Sequence, residues 1–151
     1  MLPLFNGCQH VPQKRSLKID TLSLQYRTED SFKGIIESFT QKEFISGRLF
    51  LRTNPDVREG LYFVLSFDGS LNCIPAGSIV KIAYITNLEP KEQITEWTIP
   101  TVEYSLIFQN ELYLGITGDK KYSSQTKLIA WKIDITHPNG QLIATKHSFA
   151  W

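Results

Sequence analysis

Ile129, Trp131, Ile133 and Ile135 alternate with Ala130, Lys132 and Asp134. That period of two fits an extended strand with one buried face and does not fit a helix. The run ends at Pro138-Asn139-Gly140, a hairpin signal, and residues 142–151 supply the returning strand. The same unit recurs upstream. Val102, Tyr104, Leu106 and Phe108 alternate up to Gln109-Asn110, a two-residue turn, and Leu112, Leu114 and Ile116 lead the chain back. Residues 61–65 are apolar in both phases, as expected of a strand covered on both faces.

Other segments read the same way. Residues 48–53 form a short strand closed by the turn cluster Asn54-Pro55-Asp56, and residues 79–86 form another. Residues 88–93 read as a polar loop around Pro90, after which Thr95, Trp97 and Ile99 share one face of a strand that stops at Pro100. Near the start, Leu17 and Ile19 lie in one phase and Leu22, Leu24 and Tyr26 in the other, so a bulge belongs at Asp20-Thr21. The exception is residues 31–39. There Phe32, Ile35, Ile36 and Phe39 fall at i, i+3, i+4 and i+7 and predict one short helix, capped by Asp30 or Ser31 and weakened by Gly34.

About eight or nine strands joined by short turns predict an all-β fold, an antiparallel β-sandwich of immunoglobulin-like general shape, with a closed barrel as the competing architecture. The organisation is an N-terminal arm over residues 1–16 and a single sandwich domain over 17–151. Ile129, Trp131, Ile133, Phe63, Leu65, Ile82 and Leu106 are expected to share one core.

Several functional classes find no support in the residues. Sixteen Lys and Arg against fifteen Asp and Glu leave a net charge of +1, mixed along the chain, so no basic stripe matches a row of phosphates and nucleic acid is not an expected partner. The sequence has two cysteines, Cys8 and Cys73, outside any CxxC pair, and three scattered histidines, which is not the paired spacing of a zinc site. Gly115-Ile116-Thr117-Gly118 lacks the third glycine of a dinucleotide loop and the lysine of a P-loop. No Gly-x-Ser-x-Gly elbow is present. Catalytic residues, a metal site and a cofactor are therefore not expected, and the chain reads as a non-enzyme.

Two features point elsewhere. Tyr122 sits in the polar stretch 117–126, where a lone aromatic beside Lys121 and Asp119 is a candidate partner contact. At the N-terminus, Leu4-Phe5-Asn6-Gly7-Cys8-Gln9 resembles the end of a bacterial lipoprotein signal, an apolar run closed by a small residue and a lipid-modified cysteine. Phe5 and Asn6 depart from that pattern, while Gly7 and the polar residues 9–16 follow it. The resemblance implies lipidation at Cys8 and a place on the periplasmic side of the bacterial cell envelope, with residues 9–16 as a linker. A Cys8–Cys73 disulfide is the rival role for the same sulfur.

The expected function is a non-catalytic binding or structural module that presents loops or a strand edge to a protein or glycan partner. The alternative is a barrel-like carrier of an apolar small molecule. Core filling discriminates the two: a carrier keeps a cavity of ~300–1,000 Å³, whereas three Trp and nine Phe suit a solid interior.

Overall fold

The structure, a computed structural model, describes residues 17–32, 49–101 and 110–151. Among them are eight strands: β1 Ile19–Arg27, β2 Leu49–Arg52, β3 Gly60–Phe67, β4 Ile79–Thr86, β5 Glu89–Thr98, β6 Glu111–Thr117, β7 Leu128–Thr136 and β8 Leu142–His147. They form two four-stranded sheets, in the orders β1-β3-β6-β2 and β5-β4-β7-β8. All the pairings are antiparallel except β2 with β6, which is parallel. Two packed sheets are the sandwich that the turn spacing predicts.

One continuous apolar cluster packs between the sheets. Leu61, Phe63 and Leu65 of β3 and Leu112, Leu114 and Ile116 of β6 meet Val80, Ile82 and Tyr84 of β4 and Ile133 and Ile135 of β7. Phe63 touches both partners across the gap, with ring centroids 5.1 Å from Tyr84 and 6.2 Å from Trp97. The Trp97 indole N–H also crosses between the sheets and donates to the Gly115 carbonyl at 3.2 Å, so this buried donor is satisfied. Of the expected core, Phe63, Leu65, Ile82 and Ile133 are fully buried, Trp131 is half-buried at the margin, and Leu106 lies outside the described residues.

The first sheet is covered on its outer face too, which is why β3 is apolar in both phases. Phe32, Tyr62, Val64 and Tyr113, with Phe50 packed against them, form a second small core there. Phe32 reaches it because the chain folds back after β1 in a 3-10 turn, Glu29–Phe32. The Arg27 guanidinium lies 4.4 Å from the Phe32 ring centre and that of Arg52 lies 5.1 Å from it, so two cations stack on one ring. The helix expected over 31–39 has only its first two residues in the described part, where the backbone is this 3-10 turn; the remainder lies outside the described residues.

Three details correct or sharpen the sequence reading. The pairing of β1 with β3 shifts register between Ile19 and Thr21, so Ile19 on one side of the bulge and Leu22, Leu24 and Tyr26 on the other all turn to the same core. Residues 89–93 are not loop. They open β5 after the two-residue turn Asn87-Leu88, and Pro90 is tolerated because β5 is an edge of its sheet among the described residues. Ile129 is not core but 56 % exposed. On β4 the successive residues Ile85 and Thr86 pair with Ala130 and Leu128, which leaves Ile129 unpaired and turned outward.

Candidate functional site

A concavity among the described residues lies at one end of the first sheet, where three separate stretches of chain converge. A cavity of about 460 Å³ is lined by Tyr26 and Glu29 from the end of β1 and its 3-10 turn. Asn54, Val57 and Glu59 come from the β2–β3 connection, and Gly118, Asp119 and Lys120 from the start of the β6–β7 connection.

Hydroxyl groups next to the lining tie the β2 and β6 ends together. Thr117 donates its N–H to Thr53 Oγ1 at 3.0 Å, and its own hydroxyl donates to the Asn54 carbonyl at 2.8 Å while accepting from the Asn54 N–H at 3.0 Å. These bonds continue the parallel β2–β6 pairing past the strand ends. Asn54 then closes its own turn, accepting the Asp56 N–H at its side-chain oxygen at 3.1 Å. Gly118 adopts a positive φ of 82°, and a Cβ there would lie 3.1 Å from the Asn54 side-chain nitrogen. Conformation and space both call for glycine at this position.

The acidic groups on the walls each have a bonding partner. Arg58, half-buried behind the cavity, forms an ion pair with Glu29. Tyr26 donates its hydroxyl to Glu59 at 2.7 Å. That bond to a carboxylate raises the Tyr26 phenol above its ordinary value, with burial and the Glu59 charge adding in the same direction. Asp119 accepts the Lys121 N–H at 3.1 Å and sits beside Lys120 in the lining. Among the described residues no three His, Cys, Asp or Glu side chains converge in a set able to hold a metal ion.

The three sequence candidates in this region separate. Asp119 lines the cavity. Lys121 is exposed outside it, with its ammonium 3.8 Å from Glu89 and 5.1 Å from the centre of the Tyr122 ring. Tyr122 is only 4 % exposed and belongs to the core, so its ring is not offered to a partner. Its hydroxyl lies 3.1 Å from that of Tyr84, and burial raises both phenols above their ordinary range. A lone aromatic in a polar loop has apolar area to bury, and here it buries it inward. Cys8 lies outside the described residues, and Cys73 is disulfide-bonded.

Sequence reasoning does not single out Tyr26, Glu29, Asn54, Val57, Gly118 or Lys120 as site residues, and it reads Glu59 as a solvated loop acid. The signal available for them was the charged pair Arg58-Glu59 placed directly before a strand that is apolar throughout. No protein-family model, curated protein or solved structure matches the chain.

Proposed function

We propose that the protein is a non-catalytic binding module whose loop end takes a hydroxyl-rich ligand, a glycan, in the cavity between Tyr26, Asn54 and Asp119. The observation that carries this reading is the polar inventory of a preformed concavity. Glu29, Glu59, Asp119 and Lys120 all line it, and Arg58 offsets Glu29, leaving two carboxylates against one ammonium. Carboxylates, an amide and an ammonium placed together accept from and donate to neighbouring hydroxyls, while the Tyr26 ring and Val57 supply the apolar contact that the C–H face of a sugar needs. Two separate sheets with an apolar cluster packed between them, among the described residues, support a surface binding mode over the carriage of an apolar molecule inside a barrel.

The test is a titration of the full chain, followed by amide NMR, with a panel of neutral oligosaccharides and a basic peptide as the contrast. Saccharide binding should shift the amides of Asn54, Gly118, Asp119 and Lys120. Glu59→Gln and Asn54→Ala should each weaken it about fivefold, the loss of roughly one net hydrogen bond of about 1 kcal/mol. Shifts at these amides with the peptide alone would transfer the site to a protein partner. A panel that moves none of them would overturn the reading.

We propose further that the module works outside the reducing cytosol, in an oxidising compartment such as that of the bacterial cell envelope. Cys73 is disulfide-bonded, and such bonds persist in oxidising compartments. Cys8 is the other cysteine of the sequence. A sulfur that carries a lipid thioether cannot also join a disulfide, so the bond at Cys73 supports the oxidising compartment and not a lipid tether at Cys8.

A further inference from the structure

Residues 118–127 run Gly-Asp-Lys-Lys-Tyr-Ser-Ser-Gln-Thr-Lys, a polar sequence that on composition alone belongs to a loose surface loop. It is instead fastened at three places. At its start, Gly118 packs against Asn54 and the Asp119 carboxylate accepts the Lys121 N–H. At its far end, Asn87 of the β4–β5 turn donates from its side chain to the Gln125 carbonyl at 3.2 Å and accepts the Lys127 N–H at 2.8 Å. The Asn87 N–H completes the clamp by donating to the Lys127 carbonyl at 3.0 Å. In the middle, Tyr122 enters the core and meets the hydroxyl of Tyr84 on β4, which itself stands 3.5 Å from that of Thr95 on β5.

The geometry divides cleanly between the sheets. Every other wall of the cavity comes from β1 or from residues that flank β2, β3 and β6, all of the first sheet. Asp119 and Lys120 are continuous with that sheet through Gly118, yet three residues later the same loop is anchored to β4 of the second sheet.

We infer that Tyr122 is a positioning residue: by locking the Gly118–Thr126 loop to Tyr84, it holds Asp119 and Lys120 in place as the wall of the binding cavity. Resting on the cavity reading above, this adds that the wall is set from the opposite sheet and is preorganised before any ligand arrives. The N–H groups of Lys121 and Ser123, bonded within the loop to Asp119 Oδ1 and Thr126 Oγ1, report its local opening.

The experiment is amide hydrogen exchange on the free full chain, followed by titration with whichever saccharide of the panel binds. Tyr122→Phe keeps the ring and removes the hydroxyl, and should speed exchange at Lys121 and Ser123 about five- to tenfold while Phe63 and Leu114 in the core stay unchanged. Tyr122→Ala should speed it further. Asn87→Ala serves as the contrast, because it should free the Lys127 amide and leave Lys121 protected. In the Phe variant saccharide affinity should drop by a similar factor, although no group lining the cavity has changed. Exchange at Lys121 and Ser123 that stays within twofold of the parent in both Tyr122 variants overturns the inference. So does faster exchange with undiminished affinity. Should no saccharide bind the parent, the glycan reading fails by itself, and the exchange data still decide whether Tyr122 holds the wall.

Discussion

Replacing Gly115 with Ala should destabilise the protein through one ring. Gly115 of β6 lies directly opposite Tyr62 of β3, on the outer face of the first sheet. A Cβ at Gly115 would fall 2.5 Å from Tyr62 Cε2 and 2.9 Å from Cζ, against the ~3.5–4.0 Å of an ordinary carbon contact. The ring therefore has to retreat by about 1 Å. It has little freedom to do so, because Tyr62 is 0 % exposed and its hydroxyl accepts from Arg52 Nε and donates to the Arg58 carbonyl, both at 2.6 Å. The backbone is no easier to move, since the Gly115 carbonyl already accepts the Thr53 N–H at 2.9 Å and the Trp97 indole N–H at 3.2 Å. Overpacking of this kind costs ~1–3 kcal/mol, and straining two hydrogen bonds adds about 1 kcal/mol each. Exchanging glycine for alanine in a strand returns ~0.5–1 kcal/mol. The net loss is roughly 2–4 kcal/mol. In urea, with a slope of ~1–3 kcal/mol/M, the midpoint should fall by about 1–2 M at unchanged slope. A double-mutant cycle isolates the cause: in a Tyr62→Ala background, Gly115→Ala should cost nothing, so most of the loss appears as coupling energy. A neutral Gly115→Ala, or an equal cost in both backgrounds, would refute the account.

Two further outcomes follow from buried groups. Tyr84 and Tyr122 keep their protons in the folded state, mainly through burial, at pH values where the unfolded chain releases them. Stability should therefore be flat through neutrality and fall as pH rises above ~10, the ordinary tyrosine value, in urea melts taken across that range; a midpoint that rises there would contradict the burial of the pair. For the cysteines, intact mass of the protein as its own cell makes it should show the loss of two hydrogens that the disulfide at Cys73 requires, whereas added acyl chains in the membrane fraction would show that Cys8 carries lipid instead. Alkylation of Cys73 without prior reduction would remove the support for an oxidising compartment.

What could be read in advance was periodicity, and what could not was pairing. The bulge in β1 was legible because it leaves a mark in the sequence: the apolar phase flips between Ile19 and Leu22, and only a bulge lets both phases reach one core. The displacement of Ile129 leaves no such mark, for the apolar alternation of residues 129–135 runs straight through it. The offset is imposed by β4, whose neighbouring residues Ile85 and Thr86 take Ala130 and Leu128 as partners. The cavity is harder still. Tyr26, Asn54 and Asp119 belong to no motif and share no spacing, and they meet only because the order β1-β3-β6-β2 brings three strand ends to one rim. Of the lining residues the sequence points only to Asp119, from its place near Tyr122 in a polar loop, and the two part company: Asp119 lines the cavity while the ring turns into the core. That division is physical. A ring gains by leaving water and a carboxylate loses, so a loop carrying both can use the first as an anchor and present the second.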